Sequence, residues 1–561
     1  MPYATDPQYV DLLLSNTQSE ALSEYLTAEN IPFQDINPLY KQIWYPRNQL
    51  PSHLLDDILY TALPKLYLPQ TLTALENTGI LSVQNLSALQ LKGEHVLIGC
   101  IDSGIAYTHP AFQTPDGHTR IVALWDQTRN DPISSASPFG YGTLYRDAAI
   151  NAALQNPDPY AIVPSQDTTG HGTALAAIAA GSENSAAAFS GAAPLAQLAI
   201  VKLQTAKPWL LEQACLSPET PLYAESDILT GISWLLMLSR KEKKPLILCL
   251  GLQTWQGSHN GDSALEHTIA YLAGSPGVCF VTGTGNEADQ QHHHTFHTDS
   301  TKAEARAELL VSDQTQAFSM ELWAPPVFSF RLSLTSPSGD GLTGLVPRLG
   351  GQRLSFPLDR SIVDIRYETF RSESGNQLVY LRFFTPAPGI WTIGCALTSP
   401  IDAYVHLWLP PTVTIKGDVH FLQPDPFTTA MGPANTASVL SVSAALTGNT
   451  STLSASGRGY TFSGGQVPTL AAPGENLLTA SYIQGYQTVT GSSAATALTA
   501  GAAALVADWG RTLDPPHNLS TRDIGTFLLK GCHQPPQASY PNPQSGYGFL
   551  DLSESFFRFL T

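Results

Sequence analysis

Basic residues are scarce in this chain. There are 28 Lys and Arg against 46 Asp and Glu, a formal charge of −18. That balance argues against a nucleic-acid or anionic-membrane partner and fits a protein that takes basic substrates. Long apolar runs are missing as well. No stretch approaches the roughly 18 residues of a membrane span, so no membrane partner is expected. The first residues, Met1-Pro2-Tyr3-Ala4-Thr5-Asp6, have neither a basic region nor an apolar core and do not read as a secretory signal. Cysteine is sparse, and Cys100, Cys215, Cys249, Cys279, Cys395 and Cys532 show no metal-ligand spacing. Cys100, Cys249 and Cys279 lie in apolar, strand-like runs. They read as buried free thiols in a reducing compartment, which points to the cytoplasm and away from a disulfide-stapled fold. Turn formers are plentiful instead, with 42 Pro and 43 Gly in 561 residues, a length that suits two or three domains.

Three segments concentrate reactive side chains. In Thr490-Gly491-Ser492-Ser493-Ala494-Ala495 a glycine precedes two serines and an Ala-rich, proline-free run to Asp508. This reads as a tight turn opening a buried helix. A serine there sits among unpaired N–H groups at the positive end of the helix, which suits a nucleophile and equally suits a plain helix cap. In Val96 to Gly104 an apolar run ends in Asp102-Ser103-Gly104, as a buried parallel strand does when it delivers a carboxylate to its edge. In Asp167-Thr168-Thr169-Gly170-His171-Gly172-Thr173 glycines flank a histidine that opens another small-residue helix. Asp, His and Ser, each at the end of an element, are the parts of a nucleophile, a base and an orienting group.

That chain order is the order of subtilisin, and the chain resembles the subtilisin-like serine proteases. Thr282-Gly283-Thr284-Gly285-Asn286, Ala471-Ala472-Pro473-Gly474 and Gly546-Tyr547-Gly548-Phe549-Leu550-Asp551 extend the resemblance. Each motif is weak singly; in sequence they are specific. The resemblance implies Ser493 as nucleophile, His171 as general base and Asp102 as its orienting carboxylate. It also implies Asn286 as an oxyanion donor beside the Ser493 N–H, and Leu250-Gly251 as the strand along the substrate pocket. Ser492 stands where threonine is usual. Ala497 stands where a proline usually starts the helix proper, a loss that costs some stability or shifts the serine without removing a catalytic group. No cofactor is implied. His292, His293, His294 and His297 could ligate a metal, but three adjacent histidines in a Gln/Thr-rich loop cannot all face one centre without strain. A solvated loop and no metal are expected there.

The order of elements gives an α/β fold. The chain enters the core sheet from Leu81 to Asp102, and Ala196 to Lys202, Pro245 to Gly251 and Val278 to Thr282 read as further apolar strands alternating with helices over Asp227 to Leu238 and Ser263 to Ala273. This predicts a parallel sheet sandwiched by helices. The basic run Arg240 to Lys244 reads as a solvated helix end. Residues 1–60 look like a separate αβ unit, with helical periodicity over Tyr9 to Ser15 and Glu20 to Ala28 and strands at Ile31 to Ile36 and Lys41 to Pro46. By resemblance this unit is a prodomain, cut near Leu59 to Pro64. Residues 61–294 and 428–561 form the catalytic domain. Between them, 295–427 alternates apolar and polar residues with period two, as in Phe328 to Leu334 and Tyr404 to Trp408, and predicts an inserted antiparallel β-sandwich of jelly-roll type. A short prodomain, no signal peptide and a β insertion after the Asn286 motif are similar to the clostridial spore-germination Csp proteases. The function implied is a serine endopeptidase that processes its own prodomain and then a protein precursor such as a spore cortex-lytic zymogen. Its partners would be a protein or peptide substrate and the cleaved prodomain. Two alternatives stay open: a dormant, pseudoprotease-like binding protein and a general intracellular subtilase.

Overall fold

The computed structural model describes residues 9–15, 19–37, 40–46, 75–86, 89–129, 135–136, 138–217, 220–298, 304–326, 329–346, 350–368, 376–397, 402–448 and 450–560. The chain divides into two compact units, residues 1–69 and 70–561.

In the first unit β1 (Tyr9–Ser15), α1 (Ser19–Ala28), β2 (Phe33–Asn37) and β3 (Tyr40–Pro46) give a sheet of order β1-β3-β2 beside one helix. The helix expected over Tyr9 to Ser15 is a strand, paired antiparallel with β3 from Tyr9 opposite Pro46 to Ser15 opposite Tyr40. A seven-residue apolar run with Val10, Leu12 and Leu14 in alternation satisfies either period, and the available partner strand decides it. The junction expected at Leu59 to Pro64 lies outside the described residues.

The second unit is built on a nine-stranded sheet of order β23-β22-β10-β9-β4-β8-β5-β7-β6. Its strands are β4 (Leu97–Asp102), β5 (Ile121–Asp126), β6 (Ser135–Ala136), β7 (Thr143–Arg146), β8 (Gln197–Lys202), β9 (Leu246–Leu250), β10 (Val278–Gly283), β22 (Leu440–Ala445) and β23 (Leu470–Pro473). Seven are parallel; β7 and β6 add an antiparallel edge that the sequence reading omitted. Both faces are covered, which is why the central strands are apolar throughout. Ile98 and Cys100 of β4 join one core with the Ala-rich helices α2 (His171–Ala180) and α5 (Ser492–Thr512). Leu97 and Ile101 join the other, with α3 (Glu225–Glu242) and α4 (Ala264–Leu272). The carboxyl ends of β4, β9 and β10 therefore open on one edge, the usual position of a site in such a sheet.

Between β10 and β22 the chain forms two antiparallel sheets. The strands are β11 (His293–Thr298), β12 (Glu304–Val311), β13 (Ala317–Ala324), β14 (Phe330–Thr335), β15 (Gly341–Leu345), β16 (Gly350–Phe356), β17 (Ser361–Glu368), β18 (Gln377–Phe384), β19 (Gly389–Leu397), β20 (Ala403–Trp408) and β21 (Val419–Phe421). One sheet has the order β11-β20-β13-β18-β17-β16 and the other β15-β14-β19-β12-β21. Trp391 of β19 meets Phe356 and Phe383 of the facing sheet edge-on, so the two share one core.

The solvated loop expected at His292 to His297 is not there. His292, His293 and His294 are buried, the last two in β11. His294 packs against Phe296 and Phe421, while His293 and His406 stack with Trp408 in a column that continues to His259 of the α/β part. His293 Nδ1 faces the Asp425 carbonyl at 2.9 Å and its Nε2 faces His406 Nδ1 at 3.0 Å. Neutral imidazoles supply the apolar faces and hydrogen bonds that this seam needs, a role that a count of adjacent histidines does not reveal. All six cysteines are free, Cys215 half-buried and the others buried. Among the described residues no helix is long and apolar enough to cross a membrane.

Candidate active site

Asp102 is the last residue of β4 and is buried. Its carboxylate accepts the Ser103 N–H at 2.7 Å, and both oxygens lie 2.9 Å from Nδ1 of His171. His171 is the first residue of α2, after Gly170 at φ 82°, a conformation that favours glycine. The next residue must be glycine for another reason: a Cβ on Gly172 would lie 2.3 Å from the Gly104 carbonyl. The helix start thus lies directly on the segment that leaves β4. The Asp102 carboxylate raises the His171 pKa above its ordinary value, against the opposing effect of burial. With Nδ1–H directed to Asp102, the neutral ring presents an Nε2 lone pair.

Asp167, present in the histidine motif but given no role from sequence, organises this corner. It is buried and accepts from Gly170 N (2.9 Å), Thr169 N (3.1 Å), Thr169 Oγ1 (3.4 Å), Thr173 N (2.9 Å), Thr173 Oγ1 (2.6 Å) and Ser103 Oγ (2.9 Å). Ser103 Oγ in turn accepts the Gly172 N–H at 3.0 Å. Burial alone pushes the Asp167 pKa up, but the hydrogen bonds from Thr173, Gly170 and Ser103 hold it below the ordinary value. The readable signal was a carboxylate just ahead of a helix start, where free N–H groups need acceptors.

Ser493 is the second residue of α5, and the helix runs without a break through Ala497. Its hydroxyl donates to the Gly251 carbonyl at 3.0 Å and makes no hydrogen bond to His171. The two residues meet at Gly251, where a Cβ would lie 3.2 Å from His171 Cε1 and 2.2 Å from Leu175 Cδ1. Ser492 is buried; its hydroxyl accepts from Gln253 Nε2 at 3.0 Å and from Gly285 N at 3.2 Å, tying the ends of β9 and β10 to α5. Asn286 Oδ1 accepts the Ser492 N–H at 2.8 Å. That bond fixes the amide, since a main-chain N–H requires the oxygen, and leaves Nδ2 as the donor end. Leu250 points into the core among the α3 and α4 side chains, so only its main chain can meet a substrate. The buried Gly251 and the half-buried Leu252 and Gln253 continue the chain beyond that strand.

Residues 93–312 and 423–530, more than half of the chain, match the model of the subtilase family, Peptidase_S8. The chain belongs to the subtilase family of serine proteases, which act on protein substrates. Among solved structures it is similar to the CspB protease of Clostridium perfringens, with 28% identity over 87% of this chain and 99% of that one and a TM-score of 0.77. Sphericase (14% identity, 84% and 97% covered, TM-score 0.42) and the S41 psychrophilic protease (15%, 84% and 97%, 0.42) also align. No curated protein sequence matches.

Proposed function

We propose that this chain is a self-processing serine endopeptidase in which Asp102, His171 and Ser493 act as one unit. The observation that carries this reading is the two-oxygen contact of Asp102 with His171 Nδ1 at 2.9 Å, with Ser493 on the glycine that borders the imidazole. A rotation of the Ser493 hydroxyl from Gly251 to His171 Nε2 starts the reaction. The hydroxyl oxygen attacks the scissile carbonyl as its proton passes to His171, which later returns that proton to the leaving amine. Asp102 holds the tautomer and stabilises the imidazolium. Asn286 Nδ2 and the Ser493 N–H receive the oxyanion. The main chain at Gly251, Leu252 and Gln253 pairs with an extended peptide.

In the same reading residues 1–60 are a prodomain, and 61–294 with 428–561 are the catalytic domain. The β-sandwich at 295–427 is a jelly-roll insertion, supported by the break in the family match between residues 312 and 423. Similarity to the CspB protease supports a cytoplasmic, spore-packaged enzyme that activates a precursor such as a cortex-lytic zymogen. The test is the intact mass of wild-type protein beside Ser493→Ala. Wild type shortened near residue 60, with the variant full length, is expected. Full-length protein in both would sink self-processing.

A further inference from the structure

Arg120 is a buried cation that the chemistry above does not use. Only 6% of it is exposed, and among the described residues no carboxylate meets it. Its partners are all neutral oxygens. Nε donates to Ser182 Oγ at 2.9 Å, one terminal nitrogen to the Ala196 carbonyl at 2.5 Å, and the other to the carbonyls of Ala111 (2.9 Å) and Ala180. Burial lowers its pKa to about 10, which leaves it charged at neutral pH. An isolated charge in such a place is costly unless its donors find acceptors and the surroundings carry negative potential. Four of the five N–H donors are used. Ala180 ends α2, so its carbonyl belongs to the negative end of the helix that begins at His171.

The three segments that Arg120 gathers are informative. Ala111 lies on the stretch that leaves Asp102, Ala180 and Ser182 lie where α2 ends, and Ala196 precedes β8, the parallel neighbour of β4. The stretch after Asp102 is fastened to α2 twice. Near the site the ties are Gly172 N to Ser103 Oγ and Ala106 N to Thr173 Oγ1 (2.9 Å). At the far end they are Arg120 and the Ser182 N–H, which also donates to the Ala111 carbonyl at 2.7 Å. Ser182 Oγ passes the connection on to the Gln113 carbonyl at 2.5 Å.

We infer that Arg120 is a positioning residue, an internal cation in a cage of carbonyl oxygens that locks α2 against the stretch leaving β4 and so sets how Asp102 meets His171. This rests on the peptidase reading of that pair. Removing the side chain leaves a cavity with the shape and hydrogen-bonding pattern of a guanidinium ion. Lysine keeps the charge but cannot fork to three segments.

The experiment compares fluorophosphonate labelling of Ser493 in wild type, Arg120→Ala and Arg120→Lys, across pH, with and without millimolar guanidinium chloride. A displacement of an ångström or less at a reacting pair is worth about 10- to 100-fold in rate. Arg120→Ala should therefore label at least about tenfold more slowly. Its acid limb should move to lower pH, because a weaker contact with Asp102 lowers the His171 pKa. Guanidinium should restore both, where sodium chloride at equal ionic strength does not, and Arg120→Lys should fall between. Wild-type rates and an unmoved acid limb in Arg120→Ala, or a defect that guanidinium leaves unchanged, would overturn the inference. If Arg120→Ala does not fold, an Arg120→Lys protein with wild-type rate and acid limb would do so. An unlabelled wild type would instead sink the peptidase reading. The clamp would then stand or fall on whether guanidinium restores the thermal midpoint of Arg120→Ala.

Discussion

Replacing Asp167 by alanine should cost both stability and rate, and the size of the loss can be worked from its partners. Six donors converge on this carboxylate. The three hydroxyls can turn elsewhere, and Thr169 N is near water. Gly170 N and Thr173 N are buried and have no substitute. At about 1–3 kcal/mol for each orphaned N–H, Asp167→Ala should destabilise by about 4 kcal/mol. Asp167→Asn keeps one acceptor oxygen but turns an NH2 toward Thr173 N, so about half of that loss is expected. The assay is urea and thermal unfolding of wild type and both variants at several pH values. Asp167 is depressed in the folded protein, so its contribution is present above the unfolded carboxyl value, 3.8, and is lost as pH falls through the lower folded value. The gap between wild type and Asp167→Ala should be full at pH 7 and close below about pH 4. Labelling of Ser493 should slow in parallel, because the loosened residues flank His171. An Asp167→Ala protein with the wild-type midpoint at pH 7 would refute the assignment of Asp167 as the acceptor that holds this helix start.

Asp102→Asn should lower kcat by about 10⁴, the loss known for the equivalent change in a Ser-His-Asp triad, and should move the acid limb to lower pH because the charge that raises His171 is gone. Asn286→Ala should lower kcat in peptide hydrolysis by about 10²–10³, as loss of the corresponding donor does in subtilisin, with little change in KM. The seam of His259, His293 and His406 should weaken on acidification. Burial lowers all three, His293 to about 4, so the unfolded chain takes up more protons below the ordinary histidine value. The thermal midpoint should fall between pH 7 and pH 5, and less so in His406→Gln; a midpoint flat across that range would contradict the neutral seam.

The legible parts of the chain were those where local pattern and tertiary role coincide. β4, β9 and β10 are apolar on both faces because helices cover both faces, and their ends carry Asp102, Gly251 and Asn286. The period-two segments from Phe330 to Trp408 became paired strands because alternate residues face the core that the two sheets share. What was hidden depends on partners distant in sequence. Tyr9 to Ser15 is a strand only because Tyr40 to Pro46 offers an edge. His293 is buried because Trp408 and His406 stack on it and the Asp425 main-chain carbonyl accepts a hydrogen bond from its Nδ1–H. Asp167 looked like one loop carboxylate among several until six donors pointed at it, and Arg120 carried no motif at all. Leu250 was placed along the substrate pocket, yet its side chain faces the core; a strand reading alone does not say which side of the sheet edge remains open.

The most direct test of the catalytic unit is the rate at which a fluorophosphonate modifies Ser493 as pH is varied, in wild type and in His171→Ala. One adduct on Ser493 is predicted, with a rate that rises through an acid limb above the ordinary histidine value and falls by several orders of magnitude in His171→Ala. No adduct, or a rate indifferent to the loss of His171, would contradict the account.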